Sequence, residues 1–268
     1  MRRLTLAILI IGALLVGCGS GKDLPAEKAG EEARVEESTD SASVAEADEE
    51  ADTAETQTEE EEEEVMPATL LYQGHASVRI VTAEGKVIYI DPFMGDGYDM
   101  TADLILMTHG HKDHTRDDLI TSRNDDCQLI KWTDALKDGS YKSFDLGYVK
   151  VEAVEAGYNK NHDASECVGY ILTFTNGVSV YFTGDTSTTP SMSDLAAREL
   201  DYAFICCDGV YNMDLKEASE CAKMIAAKHT IPYHMVPASG NGFDRDVAES
   251  FEAEGKIILE PGDELSLE

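Results

Sequence analysis

The six residues His109-Gly110-His111-Lys112-Asp113-His114 hold three of the chain's seven histidines and an aspartate. Imidazole nitrogen and carboxylate oxygen are donors suited to zinc and similar divalent ions. On an extended segment the side chains at i and i+2 point the same way, so His109 and His111 can grip one ion. Asp113 and His114, displaced by a turn, can face a neighbouring one. The remaining histidines, His75, His162, His229 and His234, are scattered along the chain. Taken singly, each reads more readily as a surface or core residue than as a ligand. Asp91 closes the apolar run of YIDPF, and Asp185 sits in Gly-Asp-Thr, where aspartate also serves as a turn or cap residue.

Strands must position these residues. Strand-like runs cover residues 69–73, 77–82 and 86–90, the last two separated by the hairpin signal Glu84-Gly85. A buried run at 104–107 leads straight into the histidine cluster. Further runs lie at 149–154, 168–175, 178–182, 202–206 and 256–259, and Asn176-Gly177 predicts a type I′ turn. Between them, Leu215, Ala218, Ala222, Ile225 and Ala226 line one face of a helix predicted over 214–229. Asp214 with Glu217 resembles a capping box at its start, and His229 stands at its end as a partner for the helix dipole. A second helix is predicted over 244–254, with Val247 and Phe251 on its apolar face and Gly255 as its stop. Strands first and helices interposed later make a layered α/β domain. No repeat of fixed length is evident.

The stretch from Thr108 to His114 resembles the HxHxDH signature of the metallo-β-lactamase superfamily, and the other residues of that family's pattern follow in order. The resemblance implies a four-layer αββα sandwich over residues 67–268, with metals at one edge between two sheets. It also implies the ligand sets: His109, His111 and His162 for one ion, Asp113, His114 and His234 for a second, and Asp185 bridging. Asp91 matches the buried aspartate that braces the histidine loop. The sequence YQGHASVRI around His75, with GVYNMDLKEA around Asp214, is similar to the branch containing ascorbate-6-phosphate lactonase and N-acyl-phosphatidylethanolamine phospholipase D, Asn212 replacing a threonine. His75 is expected beside the site or against substrate. Tyr158 and Asn159 are expected to serve the loop before His162 or to touch substrate.

The N-terminus carries a different pattern. Arg2 and Arg3 precede an apolar run at 4–16, too short for a membrane-spanning helix of about 20 residues but suited to a signal peptide. Leu15-Val16-Gly17-Cys18 looks like the lipobox of bacterial lipoproteins, which implies a signal peptide at 1–17, lipid on Cys18 and an extracytoplasmic, membrane-anchored protein. Between Gly19 and Met66 there are 19 acidic against three basic residues and no aromatic, the composition of a disordered tether over 18–66. The remaining 202 residues carry a net charge of −18, which disfavours nucleic acid as a partner. Five cysteines remain after Cys18, an odd number in apolar surroundings, and read as buried free thiols.

The expected activity is hydrolysis of a small-molecule lactone, ester or amide, with hydroxide shared by two divalent ions as nucleophile and Asp113 as its proton acceptor. Zinc leads, and manganese and iron suit the same donors. A phosphodiesterase or phospholipase activity is the alternative within the fold. A non-enzymatic metal-binding lipoprotein is the alternative outside it.

Overall fold

The computed structural model describes residues 66–237 and 240–268, and its strands follow the apolar runs. The signal peptide expected at 1–17, the lipidated Cys18 and the tether up to residue 65 lie outside the described residues. In chain order the strands are β1 Ala68–Gly74, β2 Ser77–Val81, β3 Val87–Ile90, β4 Ala102–Met107, β5 Arg123–Lys131, β6 Leu136–Lys137 and β7 Ser140–Tyr141. They continue with β8 Ser143–Asp145, β9 Val149–Glu155, β10 Val168–Phe174, β11 Ser179–Phe182, β12 Tyr202–Cys206, β13 His229–Tyr233 and β14 Glu264–Leu267.

Two six-stranded sheets result, one ordered β14-β1-β2-β3-β4-β5 and the other β13-β12-β11-β10-β9-β8, beside a two-stranded ribbon of β6 and β7. Their pairings run in parallel sequence. In the first sheet β2 is antiparallel to β1 and β3, while β3, β4 and β5 are parallel. In the second, β10 is antiparallel to β9 and β11, while β11, β12 and β13 are parallel. The fold is therefore duplicated in topology although the sequence shows no repeat. One consequence governs the site. In each sheet four strands share a direction, β1, β3, β4 and β5 in the first and β9, β11, β12 and β13 in the second.

Strands β3, β4, β11 and β12 are buried at every residue, as strands covered on both faces must be. One continuous core fills the space between the sheets, and the Tyr170 hydroxyl donates across it to the Met107 carbonyl at 3.0 Å. Outside the second sheet lie α2 Leu215–Ile225 and α3 Arg245–Ser250, joined where Glu252 N donates to Ser219 Oγ at 3.0 Å. Outside the first sheet a smaller cluster around Tyr89, Tyr98, Ile105 and Ile120 is closed by loops, a 3-10 turn at Asp117–Leu119 and the single turn α1 Trp132–Ala135. The α/β sandwich is thus helical on one outer face and mostly loop on the other. No helix among the described residues is long and apolar enough to cross a membrane.

Several local expectations are revised. The helix after Asp214 ends at Ile225, because Ala226 turns left-handed at φ +54°. His229 opens β13 and stacks on Tyr202 at 5.1 Å, so it does not cap the helix. The second helix stops at Ser250, and Gly255 instead lets the chain pass close to the Lys228 carbonyl. Residues 256–259 form a single bridge, Thr230 to Lys256, and the last strand is β14. The Asn176-Gly177 turn is not type I′, since only Gly177 has positive φ, +87°. Gly177 N donates to Phe174 O and Phe174 N to Val178 O, a three-residue loop with the glycine as bulge; Thr82, Gly85 and Lys86 repeat it. All five described cysteines are unpaired, and Cys167, Cys206, Cys207 and Cys221 are buried.

Candidate metal centre

Each candidate residue follows the carboxyl end of one of those codirectional strands. His75 follows β1, Asp91 β3, His109 to His114 β4, His162 β9, Asp185 β11 and His234 β13. Ligands in open α/β sheets commonly sit beyond the carboxyl ends of the strands. Three of these residues turn the chain sharply, His75 at φ +53°, Asp91 at +44° and His234 at +43°. Left-handed backbone at non-glycine residues costs roughly 1–3 kcal/mol each and clusters where function holds it.

The side chains converge. Asp185 is buried at their centre, its Oδ2 3.2 Å from both His162 Nε2 and His234 Nε2 and 4.0 Å from His109 Nε2. Its Oδ1 is 3.4 Å from His114 Nε2. His109 Nε2 and His111 Nδ1 approach to 2.9 Å. Donor atoms fall within 4.8 Å of one another in three overlapping groups: His109, His111 and His162; His109, His114 and Asp185; and His75, Asp113, His114 and His234. His114 Nε2 and Asp185 Oδ1 are buried without hydrogen bonds, a costly arrangement for polar atoms unless they serve another ligand. All-N/O donors at this density fit divalent metal ions.

The rings are held from behind. His114 Nδ1 lies 2.9 Å from Asp91 Oδ2, and Asp91 also accepts from Thr108 N at 2.8 Å and Thr108 Oγ1 at 2.7 Å. Asp91 thus grips the strand end from which the histidine loop departs. His162 Nδ1 meets Asn159 Oδ1 at 3.2 Å, and the same oxygen accepts from His162 N, so Asn159 orients the ligand. Tyr158 is directed outward, its hydroxyl on Glu155 Oε1 at 3.2 Å. Carboxylates or amides on the far ring nitrogen fix tautomer and aim in metal-ligating histidines.

Two residues complete this set. Asp208, just past β12, places Oδ2 3.1 Å from His234 Nδ1 and was not singled out from sequence. Its signal was present: an apolar strand running into Cys-Asp-Gly, like the runs into Asp91 and Asp185. Asn212 Nδ2 donates to Asp185 Oδ2 and to Asp208 Oδ2, both at 2.9 Å, holding the two carboxylates at a fixed spacing. Asp214, two residues on, instead caps α2 by accepting from Glu217 N. Asn212→Ala is expected to lower kcat/KM and metal affinity about 10–100-fold, the usual effect of losing such support. A metal titration with steady-state kinetics checks this; a change under threefold would remove Asn212 from the site.

The charge balance follows from packing. Burial drives down the pKa values of His109 and His75, the latter to about 2. Burial also opposes charge on His234, yet Asp185 and Asp208 outweigh it and hold that ring at about 10. Burial resists ionisation of Asp185, but His234 and His114 keep its carboxyl well below the usual range. Asp113 is about a third exposed, facing a cavity of about 310 Å³ that Asn161, Tyr211 and Pro237 border around the ligands.

Two mixed sheets with this cluster past their strand ends define an α/β sandwich protein with a metal-binding edge. Residues 69–234 match the beta-lactamase superfamily domain, and the chain belongs to the metallo-β-lactamase superfamily. A UPF0173 metal-dependent hydrolase from Natranaerobius thermophilus is 28% identical over 224 residues, 74% of this chain and 99% of the relative. A UPF0173 metal-dependent hydrolase from a Geobacillus species is 30% identical over 73% of this chain and 98% of its own. Among solved structures, a protein from Parabacteroides distasonis described as a metal-dependent hydrolase superposes with a TM-score of 0.58. It is 27% identical and covers 72% of this chain and 91% of its own.

Proposed function

We propose that this metal-dependent hydrolase cleaves a small lactone, ester or amide at a two-ion centre, with zinc as the leading metal and manganese or iron as alternatives. The observation that carries the reading is the convergence of His109, His111, His114, His162 and His234 around the buried Asp185, with the partly exposed Asp113 beside them. His109, His111 and His162 would hold one ion, Asp113, His114 and His234 the other, and Asp185 would lie between. Two divalent ions so held would supply Lewis acidity and acidify water towards neutral pH.

The chain's own groups account for the rest. Asp113, exposed to the cavity, accepts the proton of the attacking water and sets its direction. Asp91, Asn159, Asp208 and Asn212 keep the ligand rings and Asp185 from rotating as charge develops. The cavity lies at the small end of ligand pockets. Its described lining includes neither lysine nor arginine, so once a metal ion has displaced the His234 proton a phosphodiester would gain no further protein cation there. That favours a neutral carbonyl substrate over a phosphodiester.

The test is metal content and turnover of the purified full chain on chromogenic lactone, ester and bis-phosphodiester substrates side by side. About two ions per chain with carbonyl turnover supports the proposal. Faster phosphodiester turnover would transfer it to the phosphodiesterase reading, and metal without any turnover would favour a binding protein. His111→Ala should lose metal and activity together while the melting temperature of the metal-free protein barely moves, because His111 is exposed and outside the core. Full activity in that variant would sink the assignment.

The lipid-anchored, extracytoplasmic placement belongs to the same proposal and rests on Arg2, Arg3, the apolar run and Cys18. Cys18→Ala is expected to abolish incorporation of labelled fatty acid and to leave the protein unanchored. Equal labelling of the variant would place the lipid elsewhere.

A further inference from the structure

His75 is fully buried, yet neither of its ring nitrogens has a hydrogen-bond partner. Its backbone is left-handed and follows Gly74 at φ +106°, in the tight reversal between β1 and β2. Three bonds pin it there. His75 N donates to Gly242 O at 3.1 Å, and its carbonyl accepts from His234 N at 2.9 Å and from the Tyr72 hydroxyl at 3.0 Å. The strained backbone delivers the ring to one place. It lies against His234 with ring centres 3.7 Å apart and 5.4 Å from the ring of His114. Its Nε2 is 3.7 Å from Asp113 Oδ2, too long for a hydrogen bond. One donor atom from each of His75, Asp113, His114 and His234 falls within 4.8 Å of the others.

We propose that His75 is a fourth protein ligand of the second metal position, beside Asp113, His114 and His234. The inference rests on the two-ion reading above. A ring with no other partner, held rigidly among three donors, is better explained by a ligand role than by packing alone. His114 and His234 each have a carboxylate behind the ring, and His75 has none. Its ring is therefore less firmly braced than those of His114 and His234, and its removal should loosen one ion without emptying the site.

The decisive measurement uses the full chain with isotopically labelled histidine, loaded with an NMR-active cadmium isotope. A ligating ring nitrogen shows one-bond coupling to cadmium, so splitting is expected at His75 as well as at His114 and His234. Splitting at His114 and His234 with none at His75 would overturn this inference alone. No splitting at any histidine would overturn the two-ion reading with it. His75→Gly, which the left-handed backbone tolerates, should release one of two ions about 10–100-fold more readily to a competing chelator. Added imidazole should restore its hold. Equal loosening of both ions, or no rescue, would mark His75 as a packing residue.

Discussion

Asp185→Asn is expected to reduce kcat/KM by at least about 10³-fold and to cut bound metal sharply while the fold survives. Asparagine keeps the size of the side chain and one acceptor but removes the charge around which the site is built. That charge lies within 3.4 Å of nitrogens on His162, His234 and His114 and 4.0 Å from His109. It is buried, so little water screens it, and burial strengthens its attraction to any cation between the rings. Electrostatic stabilisation by metal centres is worth several kcal/mol, and about 4 kcal/mol corresponds to roughly 10³ in rate. Asn212 would lose a charge-assisted hydrogen bond at the same time. Metal per chain, steady-state kinetics and circular dichroism on the same sample test this. Activity within tenfold of the parent would mean that Asp185 is a structural turn residue.

The site was more apparent in the sequence than the fold that carries it. Histidine and aspartate are identified by type, and the crowded stretch at 109–114 needed only the spacing of its donors to suggest an ion. Strands buried on both faces, such as β3 and β12, announce themselves as unbroken apolar runs. β5 does not, because its polar run RNDDCQLIK forms the sheet's exposed edge. β14 is only four residues, two of them exposed, and it is a strand because β1 pairs with it. The helix after Asp214 looked longer because Ala226 continues its apolar stripe, whereas the backbone reverses there to feed β13. The duplicated pairing order left no repeat in the sequence, since it resides in backbone hydrogen bonds rather than in side chains. Asp208 escaped notice because aspartate before glycine is ordinary turn chemistry. Only the position of β12 beside β13 brings it to His234.

The same pair of residues makes metal binding pH-dependent, and the effect is large. Burial alone would leave His234 neutral, but Asp185 and Asp208 hold its pKa near 10, so the ring is charged in the metal-free protein at neutral pH. A metal ion needs the neutral ring and must displace that proton. Affinity for an ion at His234 should therefore rise about tenfold per pH unit below about pH 10, which amounts to about 10³-fold between pH 5 and pH 8 for one proton. Stability of the metal-free fold runs the other way. With the folded pKa raised from 6.5, the charged ring between two carboxylates stabilises fully below pH 6.5, and that contribution is lost as pH climbs towards about 10. Asp208→Asn removes one of the two carboxylates, lowers the His234 pKa and should flatten both trends. Calorimetric metal titrations in two buffers of different ionisation enthalpy count the protons released. At pH 7 the parent should release at least about one proton per ion bound at this position, and the variant fewer. Zero release by the parent would mean that His234 is neutral before the metal arrives and that Asp208 aims the ring without charging it.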